Sequence, residues 1–312
     1  MRVLLMTMAW ACALGCSTPR AGSEAASALG PSEDGLNAHA PGATNNGSSA
    51  LAQGAPVAQA PAPPPAVASP ARPRTALSIP VPEPLDALPD ANGWGSAGGL
   101  HYLELIRGEA RADETLPLLI FIHGLGDRAR RDWLNVLDVD QAKVRMILPQ
   151  APMPYGDGFA WFEYRFRDQD PDALAQGISE ASERLVRMLD VLQKQRPTRG
   201  RAVVCGFSQG GMLSFSLALR HPELIRYAVP ISGMLPPRLW PRRRPRGPSV
   251  SLHALHGDAD TVVAFDADRA LVTHLKRIGY TAELSVFEGV GHTIVPAMAQ
   301  DAVSAIVRAL GP

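Results

Sequence analysis

The run Gly206-Phe207-Ser208-Gln209-Gly210 carries the first chemical signal in this chain. A serine flanked by glycines can be a nucleophile where the backbone turns sharply enough to expose it, yet the same residue types fill ordinary turns. A nucleophile needs a base, a group that orients the base, and donors for the developing oxyanion. His292, in "VFEGVGHTIV", is the candidate base, because it follows an apolar run and two flexible glycines and precedes a helical pattern. "ALHGDADTVV" offers two acids, Asp258 and Asp260, either of which could instead cap its turn. "FIHGLGD" supplies the fourth element: the backbone N–H of Leu125 would pair with that of Gln209 as an oxyanion hole, with His123 and Asp127 shaping the loop.

The remaining histidines fit a catalytic role less well. His253 lies within an apolar strand and His256 ends it, His221 and His274 belong to helical patterns, His101 precedes the sheet core, and His39 sits in an Ala/Pro-rich segment. Cys205 lies in the apolar run before Ser208 and reads as a small buried hydrophobe. No clustered Cys/His spacing suggests a metal, and the chemistry requires no organic cofactor.

These residues must be held at strand ends, and the surrounding pattern provides them. Short apolar runs at 101–106, 116–123, 144–150, 201–207, 227–233, 251–257 and 282–288 alternate with helical periodicities at 172–195, 209–221, 265–279 and 295–310. That alternation predicts an α/β fold with a mostly parallel central sheet and helices on both faces. Asp172 is the expected N-cap of the first helix, and Leu174, Ile178, Leu185, Met188, Leu189 and Leu192 its buried face. Gly279 is the expected C-cap of the third. Ser208 then falls between a strand and a helix, and the chain order Ser, Asp, His is that of α/β-hydrolases. The interval "MLPPRLWPRRRPRGPSV" is too short and proline-rich for a cap domain, which predicts an open site. Its five arginines read first as a solvated loop, with anionic lipid as the alternative contact.

Taken together, "FIHGLGD", "GFSQGG", "HGDADTVV", "GVGH", "LPQAP" and "AWFEY" resemble the phospholipase/carboxylesterase family of α/β-hydrolases, which includes the acyl-protein thioesterases. The resemblance covers residues 100–312. It implies Asp260, the last residue of His-Gly-x-x-Asp, as the acid, and places Trp161 and Phe162 at the substrate site. Glu163 stands where the family commonly has Asp, and the basic "RARRD" after "HGLGD" is a further departure, so substrate preference does not carry over. The implied activity is a serine carboxylic-ester hydrolase acting through an acyl-enzyme, with Ser208, Asp260 and His292 as its catalytic residues. A lysophospholipase or thioesterase on long acyl chains is the alternative, and a tethered binding protein without turnover a third reading. On this reading Gln209 matters for its backbone N–H, so Gln209→Ala should be far milder than Ser208→Ala.

The N-terminal part has a different character. Residues 1–15 carry one positive charge and then an apolar run of about 13 residues, short of the ~20 that span a bilayer and fitting an export signal. The run ends in "ALGC", which resembles the processing box of bacterial lipoproteins and implies lipidation at Cys16. Residues 16–91, rich in Ala, Pro, Gly and Ser, lack the large apolar side chains needed to offset chain entropy and read as a disordered tether. Residues 92–312 are left as the catalytic domain. A coil of ~75 residues has a dimension of roughly 50 Å, which exceeds the ~17 Å radius of gyration of such a domain. The expected location is the cell envelope, lipid-anchored on the periplasmic side; Ser17, in place of the Asp that retains lipoproteins at the inner membrane, points to the outer membrane. Lys plus Arg and Asp plus Glu both number 30, so overall charge suggests no nucleic-acid partner.

Overall fold

A computed structural model describes residues 84–163, 170–243 and 247–311. The expected export signal, Cys16 and residues 17–83 of the expected tether lie outside the described residues, as do positions 244–246 of the arginine-rich interval. Residues 84–91, which composition groups with the tether, run beside the first strand: Ala87 exchanges backbone hydrogen bonds with Ser96 at 2.8 and 3.0 Å.

Apolar runs without helical period become the strands of one eight-stranded sheet, in the order β1-β2-β4-β3-β7-β8-β9-β10. These are β1 (Trp94–Ala97), β2 (Leu100–Arg107), β3 (Leu118–Ile122), β4 (Val144–Pro149), β7 (Ala202–Phe207), β8 (Ile225–Ile231), β9 (Ser251–Gly257) and β10 (Thr281–Phe287). Pairings from β4 through β10 are parallel, whereas β1–β2 and β2–β4 are antiparallel. A separate hairpin, β5 (Met153–Tyr155) with β6 (Gly158–Ala160), stands outside the sheet. Helices α1 (Pro171–Gln195), α2 (Gln209–Arg220) and α3 (Phe265–Arg277) pack their apolar faces into one core, and α4 (Pro296–Leu310) into the other. The central strands are therefore covered on both faces, which is why β3 and β4 are buried at every position.

The expected apolar face of α1 is buried in full, from Leu174 to Leu192. Its cap differs from the expectation. Asp170, not Asp172, accepts N–H bonds from Asp172 (2.9 Å) and Ala173 (3.0 Å), because Pro171 occupies the first helical position, where its missing N–H costs nothing. After α3, Gly279 adopts φ 93°, and paired bonds from Gly279 N–H to Lys276 and from Tyr280 N–H to Leu275 close the helix. The interval after β8 holds a single 3-10 turn, Pro237–Leu239, among its described residues. It is tied to α1 by Arg238–Asp172 (2.6 Å) and to α3 by His274, whose Nε2 lies 2.8 Å from the Pro241 carbonyl. Among the described residues no helix is long and apolar enough to cross a membrane.

A charged network is buried at the N-terminal ends of β3 and β4. Arg145 is fully buried and paired with Glu104 of β2, whose second oxygen accepts from Arg196 Nε at 3.1 Å. Arg196 also reaches the Tyr102 hydroxyl at 3.3 Å, and Arg145 the Ala112 carbonyl at 2.8 Å. Removing the shared carboxylate strands two guanidinium groups. Glu104→Ala is expected to lower the unfolding free energy by about 3–5 kcal/mol in a urea titration. A change within about 1 kcal/mol would mean that water or another acceptor replaces the carboxylate.

Candidate active site

Ser208 occupies the junction of β7 and α2 with φ 58° and ψ −117°, a left-handed conformation that costs a non-glycine residue about 1–3 kcal/mol. The turn is held from both sides. Ser208 N–H donates to the Ile231 carbonyl of β8 at 3.0 Å, and its own carbonyl accepts from Met212 N–H at 3.0 Å. The flanking glycines are required by space: a Cβ on Gly210 would lie 1.9 Å from the Ile122 carbonyl oxygen, and one on Gly206 would lie 2.4 Å from that of Gly210. Strand and helix can approach this closely only without those side chains. As a result α2 is buried from Gln209 through Leu219.

His292 lies on the loop between β10 and α4. Its Nε2 stands 3.0 Å from Ser208 Oγ and its Nδ1 2.7 Å from Asp260 Oδ2. The Phe207 ring packs against the imidazole with centroids 4.8 Å apart. Of the two aspartates in the turn after β9, it is Asp260 that meets the imidazole. Its other oxygen, Oδ1, accepts the N–H groups of Val262 (2.8 Å) and Val263 (2.9 Å). Burial works against the Asp260 carboxylate, but hydrogen bonds from His256 and His292 hold its pKa well below the usual range. Asp258 points elsewhere and accepts Gly289 N–H at 2.7 Å. With Asp258 N–H to Phe287 and Ala259 N–H to Val290, both 3.1 Å, it laces the acid-bearing loop to the histidine-bearing one.

Leu125 sits in the turn after β3, within a loop that abuts Ser208: a Cβ on Gly124 would lie 3.2 Å from Ser208 Cβ. His123 fastens this loop. Its buried Nδ1–H donates to the Gly124 carbonyl at 2.8 Å, and its Nε2 accepts Ala151 N–H at 3.2 Å. One nitrogen donates and the other accepts, so the ring is neutral, and burial pushes its pKa down to about 4. Gly126 and Asp127 pair with Phe159 of the β5–β6 hairpin, and Asp127 also binds Arg130 at 3.0 Å. The basic run that follows is partly engaged: Arg130 lies over the Trp133 ring and Arg131 donates to the Asn92 carbonyl.

Trp161 and Phe162, expected at the substrate site, have their rings in the core instead, 3% and 4% exposed. The Trp161 indole N–H donates to the His123 carbonyl at 2.9 Å, and Phe162 lies so close to α1 that a Cβ on Gly177 would stand 2.8 Å from its own Cβ. What reaches the elbow from this pair is backbone. The buried Gln209 side chain accepts Trp161 N–H at 3.0 Å and donates to the Phe162 carbonyl at 3.1 Å. Sequence reasoning missed this clamp, since nothing in Gly-x-Ser-x-Gly distinguishes a side chain turned inward from one in solvent. Cys205 is fully buried and burial pushes its thiol pKa up, which leaves it without thiolate character.

Residues 105–309 match the model of the phospholipase/carboxylesterase family. A probable carboxylesterase of Oryza sativa subsp. japonica is 26% identical over 198 residues, spanning 59% of this chain and 74% of its own. Acyl-protein thioesterase 1 homolog 1 of Dictyostelium discoideum is 26% identical over 190 residues, spanning 57% of this chain and 84% of its own. Among solved structures, esterase PE8 aligns with a TM-score of 0.57 at 24% identity, covering 66% of this chain and 97% of that one, a likeness of fold. SOBER1 of Arabidopsis thaliana aligns with a TM-score of 0.51 at 22% identity, over 62% and 98%. The chain belongs to the phospholipase/carboxylesterase family and is an α/β-hydrolase of the carboxylic-ester class.

Proposed function

We propose that the chain hydrolyses carboxylic esters through an acyl-enzyme on Ser208. The observation that carries this reading is the single imidazole of His292 spanning Ser208 Oγ at 3.0 Å and Asp260 Oδ2 at 2.7 Å. Asp260 accepts the Nδ1–H of His292, which leaves Nε2 free to take the Ser208 proton as Oγ attacks the ester carbonyl. The oxyanion is received by the N–H groups of Leu125 and Gln209, the latter also favoured by the N-terminus of α2. His292 then returns the proton to the departing alkoxide, and the acyl-enzyme forms. Water activated by the same imidazole attacks the acyl carbonyl, and Ser208 is restored. The absence of a cap in the described interval after β8 supports a site open to bulky acyl donors. For that reason long-chain acyl esters and thioesters stand as the second reading.

We further propose that Cys16 carries a lipid and that residues 17–83 tether the hydrolase to the envelope, a reading supported by the apolar segment ending in "ALGC" and by the composition that follows. Cys16→Ala is expected to abolish incorporation of a labelled fatty acid in cells and to release the enzyme from the membrane fraction. Unchanged labelling would remove the anchor.

Ser208→Ala is expected to lower kcat/KM by at least about 10⁴-fold and to abolish labelling by a fluorophosphonate probe. Labelling at a different residue in the folded protein would overturn the assignment. With labelling established, a series of p-nitrophenyl esters and thioesters of increasing chain length separates the two readings, since a steep rise with length favours the long-chain enzyme. Gln209→Ala strands two buried backbone groups at a cost of about 1–3 kcal/mol. It is expected to reduce kcat/KM by about tenfold, milder than Ser208→Ala yet measurable. Wild-type kinetics would show that the clamp on residues 161–162 does not position the elbow.

A further inference from the structure

Behind Asp260 stands a second imidazole that the proposed reaction leaves unused. His256, the penultimate residue of β9, is fully buried. Its Nδ1 lies 2.8 Å from Asp268 Oδ2 on α3. Its Nε2 lies 3.0 Å from the Val263 carbonyl and 3.3 Å from Asp260 Oδ2. The Phe265 ring packs edge-on at 5.9 Å. Both ring nitrogens therefore face oxygen acceptors, a disposition that suits an imidazolium donating at each nitrogen. The charged groups around it are Asp268 on one side and Asp260 on the other, with His292 beyond Asp260. Burial disfavours the cation, but hydrogen bonds to the two carboxylates outweigh it and raise its pKa to about 9.

We propose that His256 is a positioning residue for Asp260: its Nε2–H, backed by Asp268, fixes the carboxylate toward His292 and balances part of its charge. This rests on the reading of Ser208, His292 and Asp260 as the catalytic set. The two oxygens of Asp260 are held differently. Oδ1 is fixed by the Val262 and Val263 N–H groups, whereas among the described residues Oδ2 meets two rings: Nδ1 of His292 in a hydrogen bond, and Nε2 of His256, itself bound to the Val263 carbonyl, in an ionic contact at 3.3 Å. During turnover the His292 ring gains and loses a proton at its other nitrogen, while the His256 ring has no contact with Ser208 and stays fixed by Asp268. His256 is thus the constant partner of the oxygen on which orientation of the base depends. A cation on one side of Asp260 also lessens the pull of that carboxylate on a proton at His292. Removing it makes the base harder to deprotonate, which moves the acid limb of the rate profile upward.

The test uses purified full-length enzyme and a short-chain p-nitrophenyl ester, with the folded state of each variant checked by its thermal transition. His256→Leu is expected to lower kcat about tenfold with KM within about twofold, and to shift the acid limb of kcat/KM to higher pH. His256→Gln, which can present a neutral N–H, should recover part of kcat without restoring the pH profile. In the Asp260→Asn background His256→Leu should cost nothing further, because its effect passes through Asp260. A folded His256→Leu enzyme with wild-type kcat and pH profile overturns the proposal, as do losses that multiply in the double variant. If His256→Leu does not fold, Asp268→Asn decides: it keeps the ring and removes the carboxylate that favours its cation. An upward shift of the acid limb supports the proposal, and an unmoved one overturns it. Full activity of Asp260→Asn would instead overturn the catalytic reading itself, and this inference with it. An inactive Asp260→Asn beside an unaffected His256→Leu would overturn the inference alone.

Discussion

The architecture of the site depends on one backbone constraint, the left-handed Ser208 wedged between β7 and α2. A serine in that conformation is about 1–3 kcal/mol above a relaxed turn, so it persists only where its surroundings over-determine it. Three contacts do so here. Ile231 accepts the Ser208 N–H, the first turn of α2 takes its carbonyl, and the carbonyl of Ile122 leaves no room for a side chain at residue 210. Each comes from a different element, β8, α2 and the end of β3. Because α2 must lie this close to β3 and β7, it is buried along its length, and α1 must close over its outer side. The sheet order, with β7 between β3 and β8, brings the Ile122 and Ile231 carbonyls to the elbow at once.

Much of this was legible in the residues, and what was not has physical reasons. Strands β2, β3, β4, β7, β8, β9 and β10 and all four helices fall where apolar runs and helical spacing put them, within a few residues at each end. Strand β1 and the β5–β6 hairpin were not visible, because stretches of four and three residues carry too little periodicity to stand out. Asp172 reads as the cap only if the helix opens after Pro171, whereas proline is well suited to the first helical position and leaves Asp170 to cap it. The chain order of Ser208, Asp260 and His292 could be read, since it is set by strand succession. The direction in which a side chain points could not. Trp161 and Phe162 show this: the motif placed them near the site, and the fold uses their rings as core and their backbone as an attachment for Gln209.

The loops at this edge are tied to one another by hydrogen bonds as well as by packing on the core. Asp258, Ala259 and Gly289 lace the acid-bearing turn to the histidine-bearing loop. On the opposite side a neutral His123 joins the loop after β3 to the end of β4, and the hairpin grips the same loop through Phe159. A buried neutral imidazole suits that joint, because it donates once and accepts once without bringing a charge into the loop. Histidine thus appears in three electrostatic roles around one site. His123 is a neutral staple, His292 bridges Ser208 Oγ and Asp260 Oδ2, and His256 lies between two carboxylates.

The placement of negative charge follows from this arrangement. An isolated buried carboxylate in this position would be strongly basic. A carboxylate satisfied only by neutral backbone N–H groups would be oriented on one oxygen and free to pivot at the other. Asp260 escapes both conditions, since Val262 and Val263 hold Oδ1 while two rings share Oδ2. The cost is a second buried acid, Asp268, whose Oδ1 has no hydrogen-bond partner. Burial raises the Asp268 pKa to about 6 even with His256 alongside, so the pair is less secure on the acid side than Asp260 itself. Acidification should therefore neutralise Asp268 before Asp260.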